Sequence, residues 1–299
     1  MDLILYHGDC PDGWCAAYVA SKRYPEAKLL PMKYGENPPY GEVEDKDVIV
    51  VDFSWSREAS IRLSLLAKSF HIYDHHKSAR ENLEGLDFAT FDMERSGAGL
   101  AWDYLFGVDS KWLRPDGSID STKTNFGVRP WFVDFVEDND LWRFKLIDSK
   151  EIGLFLKTLP RTAEAWDHLA LTDLKKAAMA GAAIKLAVDY YVESMVREAR
   201  RGKIDDYTVA LVNAPYINVS ELGNALAQTA DIGLAYFERV DGHVQFSLRS
   251  VGDIDVADVA KRYGGGGHKN AAGFELKYEY ARLVINSILG LEPHDPHAA

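Results

Sequence analysis

Seven histidine and aspartate residues near the amino terminus have types and positions suited to binding metal ions. They are His7, Asp9, Asp12, Asp52, Asp74, His75 and His76. They form three groups, each at the end of a short apolar segment that we predict to be a buried β-strand, at residues 3–6, 47–53 and 70–73. Because the carboxyl ends of parallel strands meet at one edge of a sheet, we expect these side chains to surround one crevice.

The concentration of carboxylates favours a metal centre at this crevice. Unpaired carboxylates held close together repel one another and raise each other's pKa, whereas divalent cations stabilise them. Mixed imidazole and carboxylate ligands suit manganese, iron or zinc, and the weight of carboxylates favours manganese or magnesium. Two such ions about 3.5–4 Å apart, bridged by a carboxylate, would form the clamp that is used in phosphoryl transfer.

Each of these residues also has a purely structural interpretation. Asp52 alone could cap the following helix, and Asp9 and Asp12 could be turn residues before Gly13. A single histidine such as His75 is more often a hydrogen-bonded surface residue than a ligand. The coincidence of three strand ends is what favours metal binding.

The composition excludes several classes of protein. The chain has 299 residues, a net charge of −12 and only two cysteines, Cys10 and Cys15. Their spacing is not that of a zinc-binding motif, so we interpret both as small buried residues in a reducing compartment. The negative charge argues against a broad basic face for long nucleic acid. No signal peptide or apolar stretch of ~20 residues is evident, so we predict a cytoplasmic protein without membrane contact.

The elements that must position these residues are predicted to form an α/β fold. Helices at residues 11–23 and 56–68 alternate with the strands, which predicts a doubly wound, mainly parallel sheet. An alanine-rich segment at 172–201, ended by Gly202, is predicted to be a long linker helix. Its basic end, where cations complement the helix dipole, contains Arg197, Arg200, Arg201 and Lys203.

A smaller α/β domain is predicted after this helix, because strand and helix patterns alternate again. Its predicted strands are residues 208–212, 233–237 and 244–248, and its predicted helices are residues 220–228 and 255–263. The predicted organisation is a catalytic domain at 1–170, a linker helix at 171–203, a second domain at 204–290 and a tail at 291–299.

Four motifs in the same order resemble those of the DHH phosphoesterase family. HGDCPDG starts at His7, VVDFS contains Asp52, and YDHHKS contains Asp74. GGGGHKNAAGF, at residues 264–274, resembles the glycine-rich signature of the DHH-associated carboxyl-terminal domain, and FSLRS, at residues 246–250, resembles the strand before it. The resemblance covers nearly the whole chain and implies a metal-binding catalytic domain followed by a substrate-binding domain.

The resemblance assigns a role to each residue of the first three motifs. It implies that His7 and Asp9 bind the first metal, that Asp12 binds the second, and that Asp52 bridges both. His75 resembles the metal-binding histidine of the triplet. In many family members one residue separates the two aspartates of the first motif, whereas here Cys10 and Pro11 intervene. Which ion Asp9 and Asp12 each bind is therefore left open.

The resemblance also implies catalytic roles for Asp52, Asp74 and His76, with Asp74 supporting the ligands and His76 facing the phosphate. One more acidic ligand is expected after the triplet. We assign it to Asp140, because Phe144 follows it at the family's spacing. The same segment also contains Asp134, Glu137 and Asp138, and we interpret Asp134 and Glu137 as part of an acidic helix face.

Several further residues are candidates for binding the substrate. Arg249 could hold a phosphate through two hydrogen bonds, and His268 could bind a second phosphate oxygen or a ribose hydroxyl. Glycines let a backbone approach a ligand closely, and those implied here are Gly265, Gly266 and Gly267. Ser96 begins a small-residue motif that could place a helix N-terminus against a phosphate, although simple helix capping by Ser96 is an equal alternative.

The function implied by the resemblance is metal-dependent hydrolysis of a phosphodiester by a hydroxide that bridges two divalent ions. Manganese is favoured as the cofactor, with magnesium or cobalt as alternatives. The glycine-rich domain is most similar to that of the nano-RNase branch. The expected substrates are therefore short oligoribonucleotides, above all dinucleotides, cleaved exonucleolytically to mononucleotides; no long duplex is expected.

Two other functions are kept open. One is a phosphatase or exopolyphosphatase acting on nucleotide monoesters or short polyphosphate. The other is a catalytically inactive module that only binds nucleotides, although the intact ligand set argues against it. The sequence leaves the oligomeric state open.

Overall fold

The computed structural model describes residues 1–8, 10–107 and 129–291. The chain divides into two compact units, Met1–Lys185 and Leu186–Ala299. The division falls inside the segment that the sequence predicts to link two domains. Asp9, a predicted metal ligand, lies outside the described residues, and so does most of the predicted tail, from residue 292 onward.

The first unit is built on a five-stranded parallel sheet. Its strands are β1 (Leu3–His7), β2 (Lys28–Met32), β3 (Asp47–Val51), β4 (Ser69–Asp74) and β5 (Ala89–Phe91). They lie in the order β2-β1-β3-β4-β5, and every neighbouring pair is parallel. Leu5 lies opposite Val50, and Val50 lies opposite Ile72. The carboxyl ends of β1, β3 and β4 are therefore side by side at one edge.

Helices cover both faces of this sheet. Alternate strand residues point to opposite faces. Ile4 and Ile49 accordingly belong to one buried core, whereas Leu5 and Val50 belong to another with Leu63. The first core is covered by helices α1 (Pro11–Arg23), α5 (Gly97–Phe106), α6 (Trp131–Asp140), α7 (Ser149–Thr158) and α8 (Ala163–Ala170), and the second by helix α3 (Arg57–Leu66). The predicted doubly wound parallel sheet is confirmed.

Three further helices complete the description of this part of the chain. They are α2 (Tyr40–Val43), α4 (Lys77–Asn82) and α9 (Leu174–Arg197), the last of which contains the division between the units. Among the described residues, none of the helices has both the length and the apolar character needed to cross a bilayer.

The second unit contains a six-stranded mixed sheet. Its strands are β6 (Arg200–Ile204), β7 (Tyr207–Asn213), β8 (Ile232–Glu238), β9 (His243–Ser250), β10 (Gly266–His268) and β11 (Ala271–Lys277), in the order β10-β11-β9-β8-β7-β6. Its helices are α10 (Val219–Ala227), α11 (Val256–Lys261) and α12 (Tyr278–Ile288). Phe246, Leu248 and Phe274 lie in a buried core with residues of α11 and α12. This is the smaller α/β domain that the sequence predicts.

The long helix ends earlier than the sequence predicts. α9 stops at Arg197, and the basic residues Arg200, Arg201 and Lys203 lie in β6 rather than at a helix end. β6 pairs with β7 in antiparallel register, with Gly202 opposite Val209. Tertiary pairing therefore overrides the helical pattern of this segment, because strand hydrogen bonds satisfy its backbone groups instead.

Candidate metal centre

The three strand ends at the carboxyl edge of the first sheet bring the predicted ligands together. His7 ends β1, Asp74 ends β4, and Asp52 directly follows β3. Asp52 has a positive φ of 55°, and its N–H donates to the carbonyl of Tyr73 at 2.9 Å. The left-handed region is sparsely used by residues other than glycine, although aspartate tolerates it better than most. The chain therefore turns sharply at the residue whose carboxylate lies at the middle of the site.

The two carboxylate oxygens of Asp52 face different groups of side chains. Oδ1 lies 3.1 Å from His75 Nε2. Oδ2 lies 3.3 Å from Cys10 Sγ and 3.6 Å from His7 Nδ1. We call His7 Nδ1, Cys10 Sγ and Asp52 Oδ2 the first donor set. Since Asp52 is only 1% exposed, its charge has little contact with water.

A second group of donors surrounds His75. Its Nε2 lies 3.6 Å from Asp12 Oδ2 and 3.5 Å from Asp140 Oδ2, in addition to its contact with Asp52. We call His75 Nε2, Asp12 Oδ2, Asp140 Oδ2 and Asp52 Oδ1 the second donor set. Asp12 comes from the first turn of α1 and Asp140 from the last residue of α6. Four chain segments far apart in sequence thus meet at one imidazole.

The distances between these donors suit metal coordination. Two donors that are each about 2.1 Å from one ion lie about 3.0 Å apart at a right angle and about 3.4 Å apart at a tetrahedral angle. In the second donor set, the distances from His75 Nε2 range from 3.1 to 3.6 Å. Imidazole with several carboxylates is also the donor chemistry of manganese and related divalent ions. The residues present therefore fit a divalent metal centre.

The N-terminus of α5 fixes the carboxylate of Asp12. The N–H groups of Gly97 and Ala98 donate to Asp12 Oδ2 and Oδ1, at 2.6 and 3.0 Å. A Cβ atom at Gly97 would lie only 2.4 Å from Asp52 Cβ. Glycine is therefore required at this position, because any side chain would collide with Asp52 at the centre of the site.

Ser96 caps the N-terminus of α5, and its predicted contact with substrate stays a prediction. Its side chain is fully buried, and its Oγ accepts the N–H of Gly99 at 3.2 Å. Its own N–H donates to Glu137 Oε2. Because the first N–H groups of α5 already donate to Ser96 and Asp12, the structure favours the capping alternative over a phosphate site.

Asp74 holds the last histidine of the triplet. Asp74 Oδ1 is 2.7 Å from His76 Nδ1 and accepts the backbone N–H groups of His75 and His76. Asp74 Oδ2 is buried and has no hydrogen-bond partner among the described residues. Although burial opposes a charge on the ring, Asp74 raises the pKa of His76 to about 9. His76 is thus an imidazolium at neutral pH, with its orientation fixed from behind.

The charges of the second donor set are strongly unbalanced. Burial and the carboxylate of Asp52 raise the pKa of both Asp12 and Asp140 above its usual value. Burial also opposes ionisation of Asp52, but its hydrogen bonds with His7 and His75 hold its pKa below the usual value. In turn, Asp52 and Asp140 raise the pKa of the buried His75 to about 10. One imidazole faces three carboxyl groups, and a divalent cation would relieve the repulsion that raises the pKa of Asp12 and Asp140.

These shifts predict that metal affinity rises with pH. A metal ion must displace the proton of His75, which is retained up to about pH 10 in the absence of metal. The apparent affinity for Mn²⁺ should increase about tenfold per pH unit for each proton released. Calorimetric titrations at several pH values, in buffers of different ionisation enthalpy, would count the protons. An affinity that does not change with pH would contradict this, and His71→Gln, outside the donor sets, should leave the dependence unchanged.

The stability of the metal-free protein should fall as the pH rises, in contrast to the metal affinity. The folded-state pKa of His75 lies above its usual value of 6.5, so the stabilisation it provides is complete below pH 6.5 and is lost toward pH 10. The raised pKa of Asp12 likewise makes the folded state less stable as the pH rises. Thermal unfolding in the presence of a chelator should therefore show a melting temperature that falls over this pH range.

The acidic residues before Asp140 have structural roles. Asp138 accepts hydrogen bonds from the backbone of Lys145 and Leu146 and so fixes the loop after α6. Glu137 forms ion pairs with Arg95 and Arg129. Of the acidic residues in this segment, Asp140 is the one that lies beside His75.

Cys10 is the residue of the site that the sequence interpretation misses. The sequence predicts a small buried residue, but Cys10 is partly exposed, and its Sγ lies 3.1 Å from His7 Nδ1. Burial and the negative charge of Asp52 raise the pKa of its thiol. The signal in the sequence is the altered spacing of the first motif. Cys15, by contrast, is fully buried as predicted.

The proposed phosphate-binding residues of the second unit lie in one row. The register pairs His268 with Ala271 and Ala271 with Arg249, so the three side chains point to the same face of the sheet. Arg249 Nη2 donates to Ser220 Oγ at 2.9 Å, and its buried Nε has no hydrogen-bond partner among the described residues. Their binding of substrate stays a prediction.

The glycines before His268 differ in what they pack against. A Cβ at Gly265 would lie 2.1 Å from the carbonyl oxygen of Gly273, and one at Gly267 would lie 2.5 Å from that of Ala271. Both are therefore glycine because β11 is so close. Gly266 has open space at its Cβ position, which makes it the glycine of the three where a ligand could approach.

The comparisons with known proteins agree with the motifs. Residues 206–288 match the DHHA1 domain family. Oligoribonuclease NrnB of Bacillus subtilis (strain 168) is 26% identical over 76% of this chain and 58% of NrnB. The DHHA1 match and the similarity to NrnB agree with the resemblance to the DHH family that the motifs indicate. These similarities support the predicted enzyme class, a phosphoesterase.

Two other proteins extend these similarities. Uncharacterized protein R106 of Acanthamoeba polyphaga mimivirus is 25% identical over 91% of this chain and 67% of that protein. The structure of RecJ from Thermus thermophilus, solved in complex with Mn²⁺, matches this chain with a TM-score of 0.55 at 15% identity. The match covers 96% of this chain and 51% of RecJ. The similarity to RecJ shows that the chain has the DHH fold. The chain spans little more than half the length of NrnB and RecJ.

Proposed function

We propose that this DHH protein is a two-metal phosphodiesterase that hydrolyses short oligoribonucleotides, above all dinucleotides, to mononucleotides. The observation that carries the proposal is the carboxylate of Asp52, whose two oxygens face two different donor sets. A carboxylate in this position can bridge two ions. Two adjacent ions suit in-line displacement at phosphorus, because both the attacking and the leaving oxygen can be stabilised.

The metal ligands that we propose here are His7, Asp12, Asp52, His75 and Asp140, together with Asp9, which lies outside the described residues. Manganese is the ion we favour, with magnesium or cobalt as alternatives, because carboxylates dominate the second donor set. When bound, the ions would lower the pKa of a water molecule and neutralise charge on the phosphoryl oxygens.

The protein's own residues hold the reacting groups of this hydrolysis in position. Asp52 and Asp12 are both buried, and the α5 backbone fixes Asp12, so neither carboxylate needs to reorganise during turnover. His76, charged and held by Asp74, would donate a hydrogen bond to a phosphoryl oxygen or to the leaving oxygen. We assign His76 and Asp74 to this role, with Asp74 acting by positioning His76.

The substrate class is supported by similarity and by charge. NrnB is named an oligoribonuclease and is similar over three quarters of this chain. The net charge of −12 disfavours a long polyanion and is compatible with a substrate of few phosphates. Within the DHHA1 domain, Arg249 and His268 are the residues that we propose bind a phosphate or ribose of the substrate.

An RNA length series tests this function. End-labelled RNAs from two nucleotides upward would be incubated with Mn²⁺, alongside polyphosphate and a nucleotide monoester. We expect dinucleotides to be hydrolysed fastest and mononucleotides to be the product. His268→Ala should raise KM for the dinucleotide, whereas His243→Ala, elsewhere on the same sheet, should not.

Other outcomes would favour the alternatives. Cleavage of polyphosphate or the monoester with intact RNA would indicate a phosphatase or exopolyphosphatase. Nucleotide binding without hydrolysis with any divalent ion would indicate a binding module. Faster cleavage of long RNA than of dinucleotides would contradict the proposed preference for short substrates.

A further inference from the structure

We propose that Cys10 is a metal ligand, bound through its sulfur to the same ion as His7 Nδ1 and Asp52 Oδ2. The assignment rests on the two-metal function proposed above and adds a residue to it. The family resemblance gives no role to this cysteine, and the altered spacing of the first motif puts it between the two aspartates.

The geometry of the first donor set carries the assignment. Cys10 Sγ is 3.1 Å from His7 Nδ1 and 3.3 Å from Asp52 Oδ2, and the latter two atoms are 3.6 Å apart. For a sulfur about 2.3 Å and a nitrogen or oxygen about 2.1 Å from one ion, the separation is about 3.1 Å at a right angle and about 3.6 Å at a tetrahedral angle. All three sides of the triangle suit donors that share an ion.

Helix capping alone does not account for this thiol. Cys10 precedes α1, and its Sγ accepts the N–H of Gly13 at 3.2 Å. Serine, aspartate and asparagine are the residues favoured at such a cap, so capping does not call for sulfur. A thiolate can accept this N–H and bind an ion simultaneously, and the positive end of the α1 dipole stabilises its charge.

Metal binding through Cys10 has a defined chemical balance. The sulfur donates an electron pair to the ion, and the thiol proton is released to solvent. A thiolate is a softer donor than a carboxylate and favours cobalt or zinc over magnesium. The first donor set should therefore discriminate against magnesium more strongly than the carboxylate-rich second set.

Cobalt spectroscopy tests the assignment directly. Metal-free protein would be titrated with Co²⁺ while near-ultraviolet and visible absorption are recorded. We expect a sulfur-to-cobalt charge-transfer band in the near ultraviolet together with visible d–d bands. Cys10→Ser should lose the charge-transfer band and keep the d–d bands, since serine preserves the cap and the fold. Cys15→Ala, which removes the buried thiol in α1, should keep both.

The titration distinguishes failure of the Cys10 assignment from failure of the proposed two-metal function. If the unsubstituted protein binds two Co²⁺ ions but shows no charge-transfer band, Cys10 is not a ligand and the two-metal function stands. If it binds no Co²⁺, Mn²⁺ or Mg²⁺ at all, the two-metal function fails and this assignment with it. As a second readout, Cys10→Ser should lower the affinity for Co²⁺ relative to Mg²⁺ by at least about tenfold. An unchanged ratio would overturn the assignment.

Discussion

Replacing Asp52 with asparagine is expected to lower kcat/KM by more than about a hundredfold and to reduce bound metal below two ions per chain. Substitutions of groups that only support metal ligands typically cost about 10- to 100-fold. Asp52 should cost more, because its two oxygens contact both donor sets and an amide nitrogen cannot replace either oxygen. Turnover of the preferred dinucleotide, together with elemental analysis of bound manganese, measures both effects.

Asp47 provides the matched control for Asp52. It begins β3, the strand that Asp52 follows, and pairs with Lys68 at the opposite edge of the sheet. Asp47→Asn should leave turnover and metal content unchanged. Retention of near-normal activity and two bound ions by Asp52→Asn would contradict the bridging role.

Gly97→Ala is expected to reduce activity by about a hundredfold without removing any polar group. The added Cβ would lie 2.4 Å from Asp52 Cβ and 2.7 Å from Asp52 Oδ1. Either Asp52 or the start of α5 must move, and the second movement also breaks the hydrogen bond to Asp12. Misplacement of catalytic groups by about 1 Å can cost about 100-fold in rate. Overpacking should also destabilise the fold by about 1–3 kcal/mol.

Gly41→Ala is the control for this substitution. Gly41 lies in the short helix α2, and a Cβ there would have no neighbouring atom within 4 Å among the described residues. Its kcat/KM should match that of the unsubstituted protein, and its thermal stability should be equal or slightly higher. Equal activity of Gly97→Ala and Gly41→Ala would show that the site tolerates a displaced α5.

The strands that form the site could be predicted closely from sequence. The runs of branched apolar residues at 3–6 and 47–53 became β1 and β3, and residues 70–73 became part of β4. β1 and β3 are buried on both faces of the parallel sheet, so their sequences are nearly continuously apolar. Such a pattern is local, and it places each of these strands to within two residues at either end.

The local sequences of other strands contain no comparable pattern. β5 has three half-buried residues, and β10 consists of Gly266, Gly267 and His268, so neither contains an apolar run. β6 continues from an alanine-rich helix with charged residues. Each of these strands exists because a neighbouring strand supplies its hydrogen-bond partners, which is a property of the tertiary structure and not of the segment.

The resemblance to the DHH family, the parallel sheet and the identity of the residues at its carboxyl edge could all be predicted from the amino-acid sequence, because strand periodicity and motif spacing are local features. How those side chains face one another depends on the folded structure. It directed one oxygen of Asp52 toward His75 and the other toward Cys10. It also buried Ser96 as a cap and attached Asp12 to a helix that begins 85 residues later, at Gly97. Contacts of this kind depend on side-chain direction and long-range packing, which spacing along the chain does not encode.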